Sequence, residues 1–202
     1  PINTLLEIGI KDILIITTPE DQVYFKNLLI DNKDFKINFE FKIQNKPNGI
    51  AEAFIIGEDF IRNDDVCLIL GDNLFFNTKI IHQKKLIKSS KIFVKEVTNP
   101  NRYGVLEIKN NEPILIHEKP TKDISNYIVV GIYMYNNSVI NKVKNLKPSD
   151  RGELEITDLN NLYLKKEDCE IVYMEKNSVW FDSGDFDSLL NAANFVSRNN
   201  IS

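Results

Sequence analysis

Five consecutive apolar residues, Val66-Cys67-Leu68-Ile69-Leu70, run directly into Gly71-Asp72-Asn73, and this stretch constrains the fold more than any other. An unbroken apolar run of this length between acidic and turn residues reads as a strand covered on both faces, the kind found inside a parallel sheet. In open α/β sheets, ligands collect beyond the carboxyl ends of central strands, so Asp72 can face a ligand or a hard cation such as Mg²⁺. Asp after Gly is equally ordinary turn chemistry or a cap for the next helix. The stretch by itself leaves both readings open.

The flanking segments supply the alternation that an α/β fold needs. Residues 1–8 read as the end of a helix stopped by Gly9, and residues 12–17 as a buried strand. Thr18 then offers an N-cap and Pro19 the first helical position, with Glu20 and Asp21 at the positive end of the dipole, for a helix running to about residue 29. Residues 35–43 alternate apolar and polar without a break, which predicts a strand with one wet face. The loop 44–49 leads into a helix over 50–57, where Gly49 either admits a ligand close to the backbone or simply caps the helix.

Further on, residues 75–89 predict a helix whose Lys84, Lys85 and Lys88 form a solvated face. Strands follow over 91–97, 105–108, 114–117, 127–135 and 171–174, the second and third turning around Asn110-Asn111. Gly131 interrupts the apolar, aromatic strand 127–135, as glycine does where another group approaches closely. Glu118-Lys119 reads locally as a surface ion pair. A helix carries Leu159, Leu162 and Leu164, and Ser183 and Asp185 can cap a closing helix. No repeat, low-complexity tract or linker divides residues 1–202, so one domain is expected.

Composition narrows the partners. The chain is 43% hydrophobic and 27% charged with a net charge of -4, and it has no lysine or arginine block. Polymeric nucleic acid is thereby disfavoured, whereas a few placed cations and a metal suffice for a small phosphorylated ligand. Cys67 and Cys169 match no metal or redox spacing and read as reduced, inert thiols of a cytoplasmic protein. No segment is long and apolar enough for a membrane span. The histidines, His82 and His117, read as structural or surface residues.

Residues 44–53, Gly71-Asp72-Asn73, Arg102-Tyr103-Gly104, Glu118-Lys119-Pro120, residues 151–158 and Trp180-Phe181-Asp182-Ser183-Gly184 follow one another in an order and spacing that resembles the bacterial sugar-1-phosphate nucleotidylyltransferases. The likeness is strongest to the members that use dTTP and glucose 1-phosphate, and it runs over nearly the whole chain. It implies a Rossmann-like α/β fold with a mixed, mainly parallel sheet flanked by helices and a small β-rich sugar-binding part. The reaction implied is attack of glucose 1-phosphate on the α-phosphorus of dTTP, giving dTDP-glucose and pyrophosphate. A UTP-using enzyme and a non-catalytic nucleotide-sugar binding module are the alternatives.

By the same resemblance, Asp72 and Asp182 hold Mg²⁺, and Gln44 and Gly49 read the thymine edge. Gly104, Glu118 and Gly131 border the glucose, Lys119 reaches the sugar phosphate, Trp180 and Tyr133 shape that pocket, and Glu153 matches a site residue. Asp72, Asp182 and Lys119 form the catalytic set. The chemistry suits such groups: a phosphate monoester is already ionised at neutral pH, so alignment and positive charge are needed rather than a general base. A Gln amide offers a donor and an acceptor, which can match the imide edge of thymine or uracil.

Members of that family begin with a strand, a Gly-rich loop carrying Gly-Thr-Arg, and a nearby Lys. The chain shows none of these, which predicts a fragment inactive or nearly so by itself. C-terminal helices of longer members, which help to build a tetramer, are also not matched, although a homo-oligomer is the expectation from resemblance. His117 stands where an acidic residue is common, and Ser183 where Thr is usual.

Overall fold

The computed structural model describes residues 1–30, 37–78, 80 and 86–199. At its centre is β8 (Tyr127–Tyr135), buried from residue 128 to its end. Its side chains alternate between two cores, as the two-residue period of a strand requires. Val129, Tyr133 and Tyr135 enter one with Phe54, Leu159 and Tyr163, while Ile128, Val130, Ile132 and Met134 enter the other with Leu5, Ile13, Phe75 and Phe93.

One edge of β8 pairs antiparallel with β5 (Ser90–Glu96), and β5 carries β9 (Cys169–Tyr173) in parallel on its far side. The other edge of β8 is shared. Its last residues, from Ile132 to Tyr135, pair with β3 (Val66–Ile69), whereas Ile128 pairs with Val105 of β6 (Gly104–Lys109). Gly131 lies where the two partners part. β6 turns into β7 (Glu112–Glu118) through Asn110 and Asn111, whose φ values of 54° and 65° are those of a type I′ hairpin.

Two further ladders complete the strands among the described residues. β1 (Asp12–Thr17) and β2 (Asn38–Ile43) run parallel, and β4 (Asn73–Phe76) and β10 (Val179–Asp182) run antiparallel. The helices are α1 (Ile2–Glu7), α2 (Gln22–Ile30), α3 (Ala53–Ile56), α4 (Glu58–Ile61), α5 (Val139–Lys144), α6 (Ile156–Leu164) and α7 (Phe186–Arg198). Asn161 of α6 covers the β7 edge: its amide accepts from the Ile116 N–H at 2.8 Å and donates to the Ile116 carbonyl at 2.9 Å.

The mixed α/β class is as expected, but the sheet is not mainly parallel: of the seven strand pairings among the described residues, only β1 with β2 and β5 with β9 are parallel, because hairpins and long-range returns rather than crossover helices join most neighbours. Three local differences accompany it. Val66–Ile69 is antiparallel to its partner and half-buried, not enclosed in a parallel sheet; the apolar run records burial but not strand direction. Within the span 75–89, expected to contain a helix, residues 75 and 76 belong to β4 by its pairing with β10 and residues 86–89 are not helical, whereas residues 79 and 81–85 lie outside the described residues. Lys84, Lys85 and His82 lie outside the described residues, as do Phe35 and Lys36 at the start of the second predicted strand. Third, α2 begins at Gln22; Thr18 instead closes a turn in which its hydroxyl accepts from the Asp21 N–H at 3.2 Å.

Both cysteines are free, and burial pushes the Cys67 thiol up to about 12 and the Cys169 thiol up to about 11. Such thiols carry almost no thiolate at neutral pH, in keeping with inert side chains. Among the described residues no helix is long and apolar enough to cross a membrane.

Candidate active site

The pairing of β4 with β10 sets Asn73 opposite Asp182, so the two carboxylates singled out from sequence meet at one corner. The Ser183 N–H and hydroxyl both donate to the Asp72 carbonyl, at 2.8 and 2.7 Å, and fix the approach. A Cβ on Gly184 would stand 3.2 Å from Asp182 Oδ1 and 3.3 Å from Asp72 Oδ2. Two carboxylates from distant parts of the chain therefore reach one small space beside Gly184. Hard oxygen donors around such a space suit a divalent cation. No group of three or more His, Cys, Asp or Glu suited to a metal occurs among the described residues.

Behind the carboxylates stands Asn73, 3% exposed. Its Nδ2 donates to Asp72 Oδ1 at 2.8 Å, and its Oδ1 accepts from the Gly131 N–H at 3.0 Å and from the Trp180 indole N–H at 2.7 Å. The Leu70 N–H donates to the Gly131 carbonyl at 2.9 Å, so both backbone groups of Gly131 are satisfied where β3 and β6 diverge. A Cβ at Gly131 would lie 2.6 Å from the Asn73 side chain; the close approach anticipated at this glycine is that of Asn73. Tyr133 is buried, and its hydroxyl is pushed up from its ordinary value by burial first and then by the negative Glu118 and Asp72.

Gly104 pairs with Glu118 across the hairpin. The Glu118 carboxylate accepts from the Thr157 hydroxyl at 2.5 Å, and a Cβ on Gly104 would come within 3.4 Å of that hydroxyl oxygen and 3.6 Å of Glu118 Oε2. Lys119 has a positive φ of 43°, and its N–H donates to the Tyr103 carbonyl at 3.0 Å. Its Nζ is 3.9 Å from Glu118 Oε1 with 57% of the side chain exposed, too long for a hydrogen bond and open to an anion. Tyr103 packs edge-on against Trp180 with ring centres 5.3 Å apart, and Arg102 bonds Asp185 at 3.0 Å, tying this turn to the start of α7. His117 bonds Glu107 across the hairpin at 2.7 Å, a structural position.

Gln44 follows β2 as Asp72 follows β3, each just beyond a strand's carboxyl end. Gly49 has φ 100°, and a Cβ there would stand 2.4 Å from the Leu154 carbonyl oxygen. The loops interlock at that point: the Leu154 N–H donates to the Asn48 carbonyl at 2.6 Å and the Ala51 N–H to the Leu154 carbonyl at 3.1 Å. Glu153 is thereby held beside the Gly49 loop, and its carboxylate pairs with Arg151 at 3.5 Å. The cavity lined by Glu96, Ile108, Ser125, Tyr127 and Tyr173 contains none of these residues.

Four participants were not singled out from sequence: Asn73 as the brace, Glu52, Thr157, and the Arg102–Asp185 pair. Glu52 carries a local signal, an acid in the first turn after Gly49. Asp185 carries one as well, the helix cap read from the sequence and present as its bond from the Ser188 N–H at 2.8 Å, whereas Thr157, Arg102 and the Asn73 amide oxygen bond partners far away in sequence.

Two carboxylates that converge from separate strand ends suit the handling of a nucleotide with a divalent cation, and residues 1–199 match the profile of the nucleotidyl transferase family. The chain belongs to that family. It is 43% identical over 201 residues to the glucose-1-phosphate thymidylyltransferase of Neisseria meningitidis, covering 97% of this chain and 70% of that protein. It is 42% identical to that of Mycolicibacterium smegmatis, covering 97% and 69%. A Bacillus anthracis structure described as a glucose-1-phosphate thymidylyltransferase in complex with sucrose superposes with a TM-score of 0.87 at 38% identity, over 96% of this chain and 79% of that one. A UDP-glucose pyrophosphorylase with UDP-glucose, at 20% identity and TM-score 0.82 over 98% and 85%, shares the fold.

Proposed function

We propose that this chain carries the transfer site of a glucose-1-phosphate thymidylyltransferase, which joins dTTP and glucose 1-phosphate into dTDP-glucose and releases pyrophosphate. The observation that carries this reading is the convergence of Asp72 and Asp182 beside Gly184. Asp72 and Asp182 would hold Mg²⁺, which when bound offsets the negative charge of the triphosphate. Lys119 supplies the cation for the sugar phosphate, whose oxygen is already ionised at neutral pH and needs no base. Glu118, oriented by Thr157, accepts from glucose hydroxyls, and Gly104 leaves the room for them. Gln44 and Gly49 face the base, and Trp180, held by Asn73, walls the sugar side. Dependence on a nucleoside triphosphate and a sugar phosphate supports a cytoplasmic reaction.

The test is pyrophosphate release by the complete gene product, with glucose 1-phosphate and each of dTTP, UTP, CTP and ATP in turn. Release with dTTP foremost and UTP second is expected, because the 5-methyl of thymine adds only a small apolar contact. Asp72→Asn and Asp182→Asn should each lower turnover by about 10²-fold or more. Turnover that survives both substitutions, or that is greatest with CTP or ATP, would refute the reading.

A further inference from the structure

The structure decides which polar atom of Gln44 is left for a ligand. Its side-chain nitrogen donates to the Gly49 carbonyl at 3.1 Å and to Glu52 Oε2 at 2.7 Å. A carbonyl and an ionised carboxylate are acceptors only, so the reversed amide would set its own oxygen against two acceptors. The orientation is therefore forced by chemistry. Glu52 is itself held: its Oε1 accepts from Asn48 Nδ2 at 2.8 Å, and its N–H donates to the Gly49 carbonyl at 3.3 Å. Both side-chain N–H groups of Gln44 are spent inside the protein, and among the described residues nothing donates to its Oε1. The Gly49 carbonyl is likewise occupied, which leaves its N–H.

We infer that Glu52 is a positioning residue that sets base specificity by locking Gln44 with its carbonyl outward. The inference rests on the proposed role of Gln44 as a reader of the base edge and deepens it. From sequence, a glutamine offers donor and acceptor alike; Glu52 removes the donor. With the base held in one register by its sugar, an acceptor facing ring N3 bonds the N3–H of thymine or uracil and opposes the N3 lone pair of cytosine. The beneficiaries are N3–H pyrimidine nucleotides as a class, and the excluded ligand is the cytosine nucleotide. Replacing Glu52 by Gln gives Gln44 a neighbour that can donate or accept, so the amide of Gln44 can turn over and present N–H to cytosine N3.

dUTP and dCTP differ only along the base edge, so the ratio of their kcat/KM values in the complete gene product isolates this effect. Any general change in attraction for triphosphates on removing the Glu52 charge cancels in it. Glu52→Gln should lower the dUTP:dCTP ratio by about tenfold, equivalent to about 1.4 kcal/mol, and leave the dTTP:dUTP ratio unchanged. Gln44→Ala should also collapse the dUTP:dCTP ratio. If Gln44→Ala collapses it and Glu52→Gln does not, the role of Glu52 is refuted while base reading by Gln44 stands. If neither changes it, base reading by Gln44 fails and this inference with it. In the unmodified protein, the side-chain NH₂ signals of Gln44 should stay put when dUTP is added; a large shift from a new bond to the base would overturn the lock without any variant having to fold.

Discussion

The indole N–H of Trp180 donates to Asn73 Oδ1 at 2.7 Å, joining residues 107 positions apart in the chain. The same oxygen accepts from Gly131, and the amide nitrogen on the other side donates to Asp72. One buried side chain thus sets the wall, the sheet divergence and a proposed metal ligand. Asn73→Ala would leave two donors without partners, each costing about 1–3 kcal/mol when buried. A loss of about 3 kcal/mol in urea unfolding is expected, together with weaker Mg²⁺ dependence of turnover. A loss below about 0.5 kcal/mol would contradict the brace.

Gly131→Ala tests the same corner from the other side. The added methyl would meet the Asn73 side chain at 2.6 Å, with Asn73 fixed by three bonds and unable to yield. Overpacking of this kind costs about 1–3 kcal/mol. Thermal unfolding should report the loss, and the Trp180 fluorescence should shift as its bond to Asn73 is disturbed.

Gly49→Ala should act on the base loop alone. A left-handed φ and a Leu154 carbonyl oxygen 2.4 Å from the new methyl force the loop away from residue 154. Affinity for dTTP measured by calorimetry should fall severalfold or more, with the affinity for glucose 1-phosphate little changed. Equal losses for both ligands would mean that the loop does not belong to the base.

Thr157→Val keeps the shape of the side chain and removes the donor to Glu118. The KM for glucose 1-phosphate should rise about tenfold, the worth of one hydrogen bond to a charged group, while the KM for dTTP stays within about twofold. A change confined to dTTP would place Glu118 away from the sugar.

Asp185 supplies an acid-side signature. The Ser188 N–H at the start of α7 and then Arg102 hold its carboxyl down at about 2, below the roughly 3.9 of an unfolded chain. The folded state therefore favours the carboxylate. Its stabilising contribution is present above about pH 4 and is lost as pH falls through 2. Asp185→Asn should lower the urea midpoint at pH 6, and the gap to the unmodified protein should narrow as pH drops from 4 towards 2. A constant gap would show that the carboxyl is not depressed.

Local patterns carried much of this fold in readable form. The apolar run of β8, the Asn110-Asn111 turn, Gly9 after α1 and the strand at residues 12–17 each follow from a period of two or a backbone preference that a few neighbouring residues specify. The strand at residues 73–76 was not legible because the partner that makes it one lies beyond residue 178. Composition cannot register a partner that distant.

For the site, the chain itself determined which residue types were on hand: carboxylates at 72 and 182, a Glu-Lys step at 118, glycines at 49, 104 and 131, and a glutamine at 44. Only the tertiary structure brought the two aspartates to one space, set the Asn73 side chain against Gly131, and turned the Gln44 amide outward by its carbonyl. The reason is physical. Backbone preferences and apolar periodicity act over a few residues, whereas hydrogen-bond direction and charge proximity depend on which distant segments the packed sheet brings within about 3 Å of one another.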